Sequence, residues 1–196
     1  MLNLRLRGMR AIRLAQRSDS HRGLLIGLAV VVFVVIGSLF GTVASAAGLI
    51  VTGVLTCGAL FAVDKLIPWV RVPAQALLLF PGTWLLGLLV ISLQVGPFAS
   101  NFAGLTVLAF LYGGLTQTRW HTLWLLVPAL PTWLVMVSGA GGATSLGLRL
   151  PIAVALWISA SELVARHTHT MHFEVSRLNR QVDVDELTGL ANPGLS

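Results

Sequence analysis

The apolar positions of this chain fall in long blocks, without the alternation of a strand or the spaced stripe of a soluble helix. Gly23 to Phe40 carries no charge and is rich in Val, Ile and Leu. Thr42 to Val63 is a second block, closed by Asp64 and Lys65. A third runs from about Val72 to Leu93 and a fourth from about Pro97 to Leu115. Trp120 to Val137 is the fifth and Thr144 to Ala165 the sixth. A membrane-crossing helix needs about 20 mainly apolar residues. In hydrocarbon a segment must satisfy its own backbone polar groups, so such blocks form helices. The pattern predicts an all-α integral membrane protein. A basic arm occupies 1–22, six transmembrane helices lie within 23–165, and a polar helix follows at 166–184.

Composition strengthens this reading. Of 196 residues, 56% are hydrophobic and only 10% charged, against about 25% charged in a soluble domain. Mean hydropathy is +0.85. The formal charge of +6 raises nucleic acid as a partner. Six of the thirteen basic residues, however, lie in the arm before the first block: Arg5, Arg7, Arg10, Arg13, Arg17 and Arg22. Juxtamembrane Lys and Arg are drawn to anionic headgroups by about 1 kcal/mol each, so the expected partner is the bilayer and not nucleic acid. Leu and Arg in the arm do not separate onto two helical faces, which favours a basic arm over an amphipathic anchor. The lone cysteine, Cys57, lies inside an apolar block and excludes a disulfide framework.

The connections set an orientation. Lys65 and Arg71 lie between the second and third blocks, Arg119 between the fourth and fifth, and Arg166, Arg177 and Arg180 after the sixth. Together with the arm they place twelve basic residues on one side. The connections around Gly41, Gln94 to Asn101 and Ser138 to Thr144 hold none. By the positive-inside rule both termini are expected in the cytoplasm of a cell carrying this multi-pass protein in its inner membrane. Ala44-Ser45-Ala46 has the small-residue look of a signal-peptidase site. The preceding apolar run exceeds the usual signal length of about 7–15 residues, and cleavage would cut into the second helix, so it is read as uncleaved. The outer connections are too short for a sensory domain. A signal must therefore reach the helices themselves. There is no convincing internal repeat and no low-complexity linker.

Few residues suggest chemistry within the bilayer. Arg149, with Pro151 two residues on, is the one basic residue inside a block. Intramembrane charges are costly and often functional. Arg149 lies near the outer end, however, where its stem can snorkel to headgroups. Both readings stand, a snorkelling arginine and an intramembrane ligand contact. Glu162 precedes Arg166 by four residues, the favourable order for a helical ion pair. His167, His169 and His172 follow. His169 and His172 share a helix face and could hold a metal, but a structural site wants four ligands and no cysteine is near. The alternative is a solvated juxtamembrane face. Ser138 to Gly142 is Gly-rich but follows a helix, so it is read as a tight outer turn. Pro81, Pro128 and Pro131 are expected to kink their helices. Trp69 and Trp120 sit where interfacial aromatic residues sit.

Beyond the sixth block, Val164, Thr168, Met171, Val175, Leu178 and Val182 recur at steps of four and three, a short heptad seam. Its pairing partner would be a second copy of the chain. The seam leads into Asp185-Glu186-Leu187-Thr188-Gly189-Leu190-Ala191-Asn192. Asp185, Leu187, Thr188, Gly189, Leu190 and Asn192 fall at the positions of Asp-x-Leu-Thr-Gly-Leu-x-Asn. This segment resembles the opening signature of GGDEF domains, the diguanylate cyclase family, which follows a signalling helix in family members. Pro193 departs from the pattern, which usually has Arg there. The resemblance implies a membrane sensory module of a cyclic di-GMP signalling protein. In that family two GTP molecules are condensed across a dimer with magnesium. The acids that bind magnesium and the GGDEF loop lie downstream of the signature. Residues 185–196 are therefore expected to be a truncated start of the domain, with magnesium and GTP implied only for the missing part. No catalytic, cofactor or metal residue is carried over, and the chain alone is expected to be inactive.

Two other function classes fit the membrane pattern. A small transporter or channel subunit would need polar groups at mid-bilayer, which are scarce here. The input half of a sensor kinase would need a phosphoacceptor resembling Ser-His-Glu-Leu-Arg, to which His172-Phe173-Glu174 is not close.

Overall fold

The computed structural model describes residues 2–41, 45–69, 71–117, 120–138 and 143–182. Within these it describes side chains at 17–40, 45–69, 71–117, 120–138, 147, 149–168, 170 and 171. The described elements are all helical. They are α1 (Leu2–Gly41), α2 (Ala46–Leu66), α3 (Leu79–Val95), α4 (Thr106–Thr116), α5 (Leu126–Ser138) and α6 (Ala143–Val182). Three 3₁₀ segments, Ala74–Leu78, Gly96–Leu105 and His121–Leu125, lead into α3, α4 and α5.

Among the described residues four stretches are long and apolar enough to cross a membrane: Arg17–Phe40, Ala46–Leu66, Ala74–Thr116 and His121–Ser138. The outer faces of the helices are apolar too. Leu25, Phe33, Phe40, Leu55, Leu93 and Val127 are all exposed. Contiguous apolar surface on this scale is rare on monomeric soluble proteins, and the architecture is compatible with a membrane protein. The stretch from Ala74 to Thr116 takes in two of the six expected blocks, and it doubles back. Phe80 near its start and Tyr112 near its end both reach Gly23 of α1, whereas Phe102 between them reaches Gly37. The reversal falls at Gly96, whose φ of 62° lies in the left-handed region that glycine enters without a Cβ penalty. Pro97 follows and starts the next segment.

Local chemistry explains the other boundaries. Ser45 caps α2, its Oγ accepting from the Gly48 amide at 3.4 Å. The residue that looked like part of a cleavage site thus starts a helix. Pro68 follows shortly after α2 and bars its continuation. Pro81 and Pro128 each stand three residues beyond a five-residue 3₁₀ segment. Proline has no N–H and its ring presses on the carbonyl four residues back. Those carbonyls, of Leu77 and Trp124, fall inside the 3₁₀ segments, whose turns are wound tighter than α-helix. The distortion expected from these prolines thus takes the form of a tightened entry turn. Pro131 and Pro151 lie within α5 and α6.

The core lies where α3 meets α1, α2 and α5. Phe80, Leu85, Leu88 and Ile91 of α3 are almost wholly buried, with Val31, Val34, Leu49, Leu60 and Met136 against them. Glycines permit the closest approaches. A Cβ on Gly87 of α3 would collide with the Thr56 side chain of α2, and one on Gly114 of α4 would lie 2.5 Å from the Ser161 carbonyl oxygen of α6. Small residues at crossings bring backbones together, the usual means of helix association in membranes. α6 is held chiefly by α4. Trp157 of α6 stacks on Phe110 at 5.2 Å and meets Trp133 of α5 edge-on at 6.2 Å.

Candidate functional site

The polar interactions concentrate at one end of the bundle. There α1 passes Asp19 to Arg22, α2 finishes at Asp64 and Lys65, and the connections after α2 and α4 meet. Gln75 Nε2 and His121 Nε2 lie 2.8 Å apart, and Gln117 Nε2 donates to the Ala74 carbonyl at 2.6 Å. Tyr112 Oη donates to the Asp19 carbonyl at 2.9 Å, tying α4 to α1. At the opposite end Gln94 Nε2 donates to Thr52 Oγ1 at 2.7 Å.

Asp64 is the centre of one site. Its side chain is only 3% exposed. Ser20 Oγ lies 3.3 Å from Oδ1, His21 Nδ1 3.6 Å from the same oxygen, and Lys65 Nζ 3.4 Å from Oδ2. Trp69 Nε1 donates to the Asp64 carbonyl at 3.0 Å, and its ring stacks on Phe80 at 5.2 Å. A buried carboxylate is tolerated only when it is met by donors or cations. Here α1 supplies one side and Lys65 the other. Beside it opens a cleft of about 450 Å³, with Arg17, His21, Lys65 and Arg71 on its walls and Ile67 and Pro68 among its lining residues.

A second cavity, of about 520 Å³, lies where α6 leaves the bundle. Ser18, Asp19 and Arg22 of α1, Tyr112 and Thr116 of α4 and Thr168 of α6 border it. Just before it, Gly114 and Ser161 make the tight α4–α6 contact. The expected pair forms on the flank, Arg166 Nε to Glu162 Oε1 at 2.8 Å. Thr168 Oγ1 bonds back to the Val164 carbonyl at 3.0 Å. The first seam positions, Val164 and Thr168, are half-buried, and Met171 is 55% exposed.

The other residues singled out in the sequence do not converge. Arg149 is exposed near the start of α6, remote from both cavities. The backbones of His169 and His172 lie on α6, but their side chains fall outside the described residues, as do those of Val175 and Leu178. Among the described residues no group of three His, Cys, Asp or Glu could share a metal ion. Asp185, Leu187, Thr188, Gly189, Leu190 and Asn192 also lie outside the described residues. Cys57 is half-buried among apolar neighbours in an outward groove between α1 and α2. The residues that sequence reasoning passed over are Ser20, Asp64 and Tyr112, with Gly114 as packing partner of α6. Asp64 was visible only as the end of an apolar block.

No protein-family model, curated protein or solved structure matches the chain.

Proposed function

We propose that the chain is the membrane-embedded input module of a diguanylate cyclase-type signalling protein. Six helices cross the inner membrane with both termini in the cytoplasm, and α6 transmits a stimulus received within the bilayer to a GGDEF output. The observation that carries this reading is the continuity of α6. It runs as one 40-residue helix from Ala143 to Val182, through its contact with α4 and past the end of the bundle. Three residues later in the sequence stands Asp185, the first residue of the GGDEF-like signature. A continuous helix conveys rotation, tilt or translation without loss at a joint. Its attachment chiefly to one neighbour, with a cavity at its exit, leaves it free to shift relative to the rest. The doubling back at Gly96 supports reading Ala74–Thr116 as two passes, and α6 is taken as the sixth.

A chimera tests the proposal. Residues 185–196 are replaced by a complete GGDEF domain joined at its own opening signature, and cyclic di-GMP is measured in cells. Product is expected, and Gly114→Val, which forces α4 and α6 apart, should change its level at least threefold at equal expression. A chimera that dimerises and binds GTP, yet makes the same product with and without the substitution, would separate α6 from the output and remove this reading.

A further inference from the structure

We propose that the cleft between α1 and the α2–α3 connection is a phosphate-binding site, with Arg17, Lys65 and Arg71 as its cationic contacts. Three permanent cations and one carboxylate surround it, with His21 as a further nitrogen donor. The carboxylate offsets one of the three cations, Lys65, and leaves the charges of Arg17 and Arg71 uncompensated. Asp64 is buried in the wall, where Ser20, His21 and Lys65 already take up its oxygens. Among the described residues Arg17 and Arg71 have no acidic partner, and both are exposed at the rim. With Lys65 paired to Asp64, bringing Arg17 of α1 and Arg71 of the α2–α3 connection to the same cleft costs free energy unless a further anion joins them.

The chemistry of the cleft selects the anion. Guanidinium groups offer paired N–H donors matched to phosphate oxygens, and lysine adds a compact point charge. The volume of about 450 Å³ lies within the range of about 300–1,000 Å³ typical of small-ligand sites. It exceeds what a bare phosphate fills. Ile67 and Pro68 offer apolar wall for the carbon atoms attached to the phosphate. The cleft also opens at the end of the apolar helices, the depth at which headgroups lie, and basic pockets between membrane helices hold such groups. The same contacts would accept the phosphodiester of an anionic lipid or a soluble phosphate ester. The inference requires only that this end of the bundle meets water, and it is independent of the output the module serves.

Native mass spectrometry of the full 196-residue chain in neutral detergent tests it. Phosphatidylglycerol, phosphatidylcholine and soluble glycerol 1-phosphate are titrated separately against the wild type, Arg17→Gln/Arg71→Gln, Lys65→Gln and Arg149→Gln. One phosphatidylglycerol is expected to bind at least tenfold more tightly than phosphatidylcholine. The double variant should lose that preference and Lys65→Gln should weaken it, while Arg149→Gln at the other end should leave it intact. Saturable glycerol 1-phosphate binding with the same variant pattern would identify a site for the phosphate group itself. Binding of the lipid alone would identify a headgroup site. Both results support the proposal. Two results overturn it: no preference for either phosphate probe over phosphatidylcholine in the wild type, or equal losses in the double variant and Arg149→Gln. Thermal midpoints by circular dichroism verify folding, since the substituted side chains are exposed and leave the core intact.

Discussion

At the scale of single residues, the helix contacts turn on atoms that are absent as much as on atoms present. Gly114 has no Cβ, and adding one would place it 2.5 Å from the Ser161 carbonyl oxygen. That oxygen belongs to backbone and cannot rotate away, so α4 and α6 must separate. Gly114→Ala is expected to destabilise the protein by about 1–3 kcal/mol, the usual cost of overpacking. The measurement is a thermal midpoint in detergent, with Gly58→Ala as control. A Cβ on Gly58 meets nothing within 4 Å, and alanine is the better helix former by about 0.5–1 kcal/mol, so the control should be neutral or stabilising. Asp64 offers a second test. Asp64→Ala removes the longer of the two bonds of Ser20 Oγ, which also donates to the Arg17 carbonyl at 2.9 Å, together with the acceptor of the exposed Lys65 and His21. It should cost about 1 kcal/mol, the net worth of an ordinary hydrogen bond. Asp64→Asn, which still accepts from Ser20, should cost less. Neither residue stood out in the sequence. Gly114 is one of 20 glycines, and Asp64 finds Ser20 across 44 positions of chain, a pairing that no local pattern encodes.

At the scale of elements, apolar block and helix correspond closely because both follow from the need to satisfy backbone groups away from water. The block expected at Val72 to Leu93 appears as a 3₁₀ turn and α3 over Ala74–Val95, and the block at Trp120 to Val137 as His121–Ser138. The 3₁₀ entries were legible only as prolines, since spacing does not tell a kink from a tightened turn. The doubling back of Ala74 to Thr116 was legible as two apolar blocks parted at Gln94 to Asn101, and the backbone angle at Gly96 places the turn within that connection. For α6 the seam makes a sharper prediction. In a Cys57→Ala background, Met171→Cys and Leu178→Cys should crosslink between two copies faster than Glu174→Cys and Arg177→Cys. A disulfide needs Cα atoms within about 7 Å, and seam residues of a coiled coil face each other. Val164 and Thr168 pack partly against their own bundle, so efficiency should rise towards Val182. Equal rates at all four positions would indicate chance collision.

At the scale of the whole molecule, Arg17, Arg22, Lys65, Arg71 and Arg166 gather at the end where the polar contacts lie, and Arg149 stands apart. Residues scattered over 150 positions of chain thus share one end because the helices alternate in direction. The orientation this implies has a direct test. Alkaline phosphatase fused after Ser196 should be inactive, and the same enzyme inserted within Ser138 to Gly142 should be active. The reverse pattern would invert the bundle. On the proposed reading, these 196 residues purified alone should make no cyclic di-GMP from GTP and magnesium above a detergent blank, because the magnesium-binding acids and loop of a GGDEF domain are not among them. Product formation would end the reading of residues 185–196 as a domain opening only.

The close contact of Gly114 with Ser161 also sets a mechanical ratio. About twenty residues of α6 lie between that contact and Val182, or roughly 30 Å of helix at about 1.5 Å per residue. If the contact acts as a fulcrum, a tilt of about 5° there swings the far end by roughly 3 Å. A tilt too small to disturb the packed core would thus still reach the end of α6 as a displacement of ångström size, and shortening the helix beyond Ser161 should reduce that displacement in proportion.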